Sequence, residues 1–255
     1  MGVVRFIIRV PLLFLWLVIG LLVVWTLSIV ATTAANRRFA CLWYGLLLKI
    51  LSVHLHVKGV PPISHGVMVC NHISWLDIVV LGALLPVRFI SKAEVARWPL
   101  IGTLAKGVGT LFIQRGLHQA KSLYAQMADC FKTPNIVAFY PEATTGSGWP
   151  LMKFHPRLFG GAIETGVPVQ PVALHYCHET QPHPVVPYIG EQSFIGNLYQ
   201  LMFLSRIDVM VHFLPAMESH DQLRRTLAES SHDAIGTVLQ QALTHPSCQP
   251  EGLDS

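Results

Sequence analysis

The chain opens on a long apolar run. From Val10 to Val30 there are 21 residues without a charge. As a helix rising ~1.5 Å per residue they would reach roughly 31 Å, the hydrocarbon thickness of a bilayer. Arg5 and Arg9 precede the run, Arg37 and Arg38 follow it, and Trp16 and Trp25 lie within it. The small residues from Ala31 to Ala35 would also suit a cleaved signal peptide. The run exceeds the ~7–15 apolar residues of a signal core, however, so a retained membrane helix is expected over residues 1–35. Basic residues on both flanks leave its orientation open. A second apolar stretch, Phe39 to Val53, is too short to span and contains Lys49. It reads either as a buried helix of the folded domain or as a helix in the membrane interface. Trp43, Tyr44 and Lys49 suit the headgroup boundary and favour the interfacial reading. That segment, residues 36–62, also takes in VHLHVKG, an alternating strand-like run ending at Gly59.

Beyond Pro61 and Pro62 short β-like runs alternate with helical ones. The β-like runs are Val67–Cys70, Arg88–Ser91, Thr110–Ile113, Ile136–Phe139 and Val169–His175, and the helical ones are Ser74–Leu85, Leu117–Phe131 and Arg157–Thr165. This alternation predicts an α/β domain over residues 63–217, with a mostly parallel central sheet flanked by helices. Met210–Phe213 adds a late strand. After Pro215, Leu223, Leu227, Ala234, Val238 and Ala242 form one stripe, so residues 218–255 read as an amphipathic helix and a tail.

Composition agrees with membrane association. Hydrophobic residues are 52% of the 255 and charged residues only 13%, against about 25% charged in an ordinary soluble domain. Mean hydropathy is +0.47. A disordered chain is excluded. The formal charge of +4 includes no Lys/Arg block of the kind nucleic-acid binders carry, and suits a surface facing anionic lipid. The five cysteines are scattered without a CxxC pair, which argues against a disulfide framework and for a reducing compartment.

Four short stretches carry candidate chemistry. In Asn71-His72-Ile73-Ser74-Trp75-Leu76-Asp77 a strand runs into a polar turn and then a helix. On a continuous helix His72 and Asp77 would sit ~140° apart, but a curled strand-to-helix turn brings carboxylate to imidazole and makes a general base. Ser74-x-x-Asp77 is equally a helix-capping pattern. The second stretch ends the run through Phe112 with Arg115 beside Gly116, where a guanidinium can grip a phosphate with two parallel hydrogen bonds; an ordinary solvated arginine is the plainer reading. The third, Tyr140-Pro141-Glu142-Ala143-Thr144, ends a buried strand in a turn able to hold a polar substrate, or in a plain loop. The fourth, Val167-Pro168-Val169-Gln170-Pro171, opens an apolar strand.

Together, in this order and spacing, the four stretches resemble the glycerolipid acyltransferase family that includes the bacterial 1-acylglycerol-3-phosphate acyltransferases. The resemblance covers roughly Gly66 to Leu174. His72 and Asp77 match its His-x4-Asp motif, Phe112 to Arg115 its phosphate-contacting motif, and Tyr140 to Thr144 its Phe-Pro-Glu-Gly-Thr block. Tyr140 and Ala143 replace the usual Phe and Gly, and His155 and Arg157 alter a stretch that often reads Phe-Lys-x-Gly-x-Phe. The resemblance implies direct transfer of a fatty acyl group from coenzyme A or acyl-carrier protein to a lysolipid hydroxyl. His72 and Asp77 would be catalytic; Arg115, Glu142, Thr144, Phe112 and Gly116 would bind substrate. It implies no cofactor beyond the acyl thioester co-substrate and no metal. The partners would be the bilayer and the acyl donor, and not nucleic acid. The catalytic domain is expected on the cytoplasmic side of the inner membrane, where the donor is made. A lysophospholipid, 1-acyl-glycerol-3-phosphate, is the first acceptor expected because Arg115 is in place; lyso-ornithine lipid is the alternative.

Three other classes are weaker. A metal hydrolase would need more than His175-Tyr-Cys177-His178, and no HExxH occurs. A serine hydrolase lacks a G-x-S-x-G elbow. A non-catalytic membrane adaptor would have no need of the His72–Asp77 pair.

Overall fold

The computed structural model describes residues 1–30, 33–61, 65–113, 119–178 and 181–244. Two long helices come first, α1 (Gly2–Val30) and α2 (Thr33–Ile50). The strands are β1 (Val53–Gly59), β2 (Gly66–Cys70), β3 (Val87–Lys92), β4 (Leu111–Ile113), β5 (Ile136–Phe139), β6 (Val169–His178), β7 (Gln181–Pro182) and β8 (Ile207–Phe213). Between and after them lie α3 (Leu76–Leu84), α4 (Ile101–Gly107), α5 (Gln119–Phe131), α6 (Gly160–Thr165), α7 (Phe194–Leu201) and α8 (Arg224–Thr244).

The expected α/β architecture is present. One eight-stranded sheet has the order β1-β8-β6-β2-β5-β3-β4, with β7 pairing β6. From β6 to β4 every neighbour is parallel. β8 runs antiparallel to β6 and parallel to β1, so that edge pair runs against the rest. β2 and β5 are buried at every residue, as apolar runs at the centre of a sheet covered on both faces must be. Met68 and Cys70 point into a core built with α2, α3 and α7. Val67 and Val69 point the other way, into a core built with α5, α6 and α8.

Two short helices, α4 and α7, escaped the hydrophobic pattern because neither is long enough to establish a period. α2 takes the first of its two readings on its inner face. Trp43, Leu47, Leu48 and Ile50 are buried, while Leu42 and Leu46 remain exposed on the outer side. Among the described residues Cys41, Cys70 and Cys130 are free thiols.

α1 is fastened to the domain along its length. At its start Arg9, only 5% exposed, donates from Nη1 to the carbonyls of Met202 and Leu204 at 2.8 Å each, closing the C-terminal end of α7. Its Nη2 reaches Ser52 Oγ at 2.7 Å. The arginine that the sequence offered as a membrane-flanking charge is therefore spent on a helix end. Further along, Trp16 stacks on Trp43 of α2 at 3.7 Å, and each indole N–H donates to the other residue's carbonyl, at 2.8 and 3.0 Å. Gly20 makes room for this clasp: a Cβ there would lie 2.6 Å from the Trp43 ring. Replacement Gly20→Leu is expected to unseat α1 and cost about 1–3 kcal/mol, the usual effect of overpacking. The check is a lowered melting temperature in detergent together with red-shifted tryptophan emission.

Candidate active site

Because β2, β4 and β5 are parallel, their carboxyl ends open on one edge of the sheet, the edge where open α/β sheets place their ligands. The His72 turn follows β2, and the Glu142 turn follows β5. The segment with Gln114, Arg115 and Gly116 follows β4 but lies outside the described residues. The topology thus brings to one edge motifs spread over some seventy residues of sequence.

The turn after β2 curls tightly. His72 Nδ1 lies 2.8 Å from Asp77 Oδ2. The same oxygen accepts the backbone N–H groups of Ile73 at 2.7 Å and Ser74 at 2.9 Å. The one carboxylate therefore holds both the imidazole and the backbone of the turn that leads into α3. Asp77 is 0% exposed, and its other oxygen, Oδ1, accepts the Tyr176 hydroxyl at 2.8 Å. Asn71 pins the start of the turn to β6, donating to the Leu174 carbonyl at 2.9 Å and accepting the Leu174 N–H at 2.7 Å. Trp75 is held by Asn197 of α7, which accepts its indole N–H at 2.9 Å.

The turn after β5 packs against this one. The Tyr140 ring stacks on the His72 imidazole at 3.9 Å. Glu142 is buried and accepts the His72 N–H at 2.7 Å through Oε1 and the Met152 N–H at 3.2 Å through Oε2. Burial pushes its carboxyl up to about 7, against the two backbone N–H groups that favour the charged form. Gly146 N–H then donates to the His72 carbonyl at 2.8 Å. Ala143, standing where the family block has Gly, sits at φ 59°. An L-residue is strained there and glycine is not.

The expected site residues therefore divide. His72, Asp77 and Glu142 come together, with Glu142 committed to the backbone of the turn. Thr144 is exposed on the neighbouring loop, and Phe112 is half-buried on β4. Arg115 and Gly116 fall outside the described residues. Tyr176 and Asn197 were missed by sequence reasoning; they lie 99 and 122 residues from their partners, and no local pattern marks them. Among the described residues, no cluster of three or more His, Cys, Asp or Glu could hold a metal.

At the carboxyl edge of the α/β sheet a buried carboxylate is thus bonded to an imidazole at His-x4-Asp spacing. Residues 53–175 match the Acyltransferase family model. The chain is 36% identical to a lyso-ornithine lipid O-acyltransferase of Pseudomonas aeruginosa over 81% of this chain and 80% of that one. It is 32% identical to a 1-acyl-sn-glycerol-3-phosphate acyltransferase of Neisseria gonorrhoeae over 80% and 81%. The chain belongs to the acyltransferase family. The fold is similar to that of the 1-acyl-sn-glycerophosphate acyltransferase PlsC from Thermotoga maritima, with a TM-score of 0.68 at 14% identity over 96% of this chain and 97% of that one.

Proposed function

We propose that this acyltransferase moves a fatty acyl group from a coenzyme A or acyl-carrier-protein thioester to the free hydroxyl of a lysolipid. One observation carries the reading: a fully buried Asp77 bonded at 2.8 Å to the His72 imidazole. With Nδ1–H donated to Asp77, Nε2 of His72 takes the hydroxyl proton as the lipid oxygen attacks the thioester carbonyl. The tetrahedral oxyanion collapses, the carbon–sulfur bond breaks, and the departing thiolate takes the proton from the imidazolium. Asp77 stabilises that imidazolium while it exists. The backbone N–H groups of His72, Ile73 and Ser74 are committed to Glu142 and Asp77, so they hold the turn and not the oxyanion. No metal or cofactor enters the scheme.

The acceptor favoured is a lyso-ornithine lipid. The relatives named for that substrate, from Pseudomonas aeruginosa and Rhodobacter capsulatus, are each 36% identical to this chain. The strained Ala143 and the Tyr140 ring against His72 also set its third block apart from the glycerophosphate pattern. The second reading is 1-acyl-glycerol-3-phosphate, supported by the Neisseria relative and by Arg115 in the expected motif. Membranes carrying the protein, a labelled acyl thioester and a panel of lysolipids with and without phosphate separate the two. Labelled diacyl product on lyso-ornithine lipid is expected. Product on lysophosphatidic acid alone would overturn the preference.

The character of α1 supports placement at a membrane. The segment Gly2–Thr26 is long and apolar enough to cross a bilayer by length and composition. Its outward Ile7, Phe14, Leu22 and Trp25 are exposed, while its inward face is fastened to α2, α4 and α7. A helix bound to the domain along its side offers that outer face to lipid and keeps the catalytic edge beside its lipid substrate. A thioester donor made in the cytosol supports a domain on the cytoplasmic side of the inner membrane.

A further inference from the structure

The reading of His72 and Asp77 as a general base leaves one partner unexplained. Of the four groups donating to Asp77, three meet Oδ2: His72 Nδ1, the Ile73 N–H and the Ser74 N–H. The fourth, the Tyr176 hydroxyl, meets Oδ1 at 2.8 Å. The three donors on Oδ2 already set the rotation of the carboxylate, so the fourth, on the far oxygen, acts on how its charge is shared. Tyr176 is 2% exposed. Its strand, β6, is locked to the start of the turn two residues earlier, where Leu174 exchanges both backbone hydrogen bonds with the Asn71 side chain. The hydroxyl therefore reaches Asp77 from a fixed point of the sheet and not from a mobile loop.

Resting on the proposed general-base role of His72, we infer that Tyr176 is a positioning residue of the active site: it holds the far oxygen of the Asp77 carboxylate and, by drawing charge onto Oδ1, sets how strongly Oδ2 holds the proton-bearing imidazole. Burial and the Asp77 charge keep its hydroxyl well above the usual tyrosine range, so it remains a donor at every working pH. The other ionisable groups facing the pair are Glu142 after β5, Tyr140 at the end of β5 and Cys70 at the end of β2. All are neutral or anionic and all stay in place when Tyr176 changes.

Replacement Tyr176→Phe keeps the ring and removes only the donor. Negative charge then concentrates on Oδ2, the imidazolium is held more tightly, and the proton is given up less readily. The acid limb of the kcat profile is expected to move up by about half a pH unit or more. Maximal kcat should fall roughly tenfold, the scale of one charge-assisted hydrogen bond, with KM for both substrates within about twofold. Val209→Ala, at the β8 residue paired with Tyr176 in the same core, serves as control: it should lower the melting temperature without moving the limb. If the phenylalanine variant does not fold, 3-fluorotyrosine at position 176 donates more strongly and should move the limb downward. A pH profile superposing on that of the unaltered protein, with kcat unchanged, would overturn the inference. So would a limb that moves equally in the Val209 control. Failure of the underlying reading looks different: His72→Ala would then retain full turnover whatever happens at position 176.

Discussion

Replacing His72 by alanine should leave a folded, membrane-bound protein whose acyl transfer falls by about 10²–10⁴, the usual worth of a positioned general base. The fold should survive because the substitution strands no buried charge. Asp77 loses one of its four donors and keeps the N–H groups of Ile73 and Ser74 and the hydroxyl of Tyr176. The backbone N–H of residue 72 still reaches Glu142, and its carbonyl still accepts from Gly146. Circular dichroism and the melting temperature should therefore change little while turnover collapses. A pocket that only bound and aligned the two substrates would lose far less, and would lose it as a raised KM.

The substitution Asp77→Asn should be nearly as damaging, for a separable reason. The three donors meeting Oδ2 force the amide oxygen of an asparagine onto that side, so its NH2 faces Tyr176, whose hydroxyl can turn to accept. The turn can therefore form, and the melting temperature should fall by only a few degrees. What is lost is the negative charge beside the imidazolium. Turnover should drop by about 10²–10⁴, as when a buried acid of this kind becomes an amide. The sign of the pH effect is fixed as well. A neutral partner no longer favours protonated His72, so the acid limb of the residual activity should move to lower pH, opposite to the shift expected for Tyr176→Phe. A variant with unchanged turnover, or with its limb displaced upward, would remove Asp77 from the reaction.

Much of this architecture is legible in the chain. β2 and β5 announce themselves as continuous apolar runs because a central parallel strand has no wet face. The His-x4-Asp spacing points to its own turn, since those side chains can meet only if the helix has not yet begun. Ala143 marks a strained position through the residue type that the family block would otherwise place there. The remainder depends on contacts between distant segments. The inward face of α2 looks like an interfacial stretch because Trp43 and Tyr44 suit a headgroup boundary as well as they suit the packing against α1 and α3. Arg9 looks like a flanking charge, and only the C-terminal end of α7, 192 residues and more away, reveals what its guanidinium caps. Glu142 reads as a substrate ligand in a loop, and only the structure shows that each of its oxygens also accepts a backbone N–H. Tyr176 carries no local signature because its significance lies in a hydroxyl pointed at a carboxylate in the first turn of α3, 99 residues earlier in the chain.

The central claim is that one imidazole passes the acyl group directly from thioester to lipid, with no covalent stop on the protein. Intact-protein mass measurement after mixing with a labelled acyl thioester tests it, first alone and then with lysolipid added. Unmodified protein in both samples, with label reaching the diacyl lipid only when acceptor is present, is the outcome expected. A protein species heavier by one acyl chain, formed without acceptor and discharged onto the lipid at the rate of turnover, would contradict it.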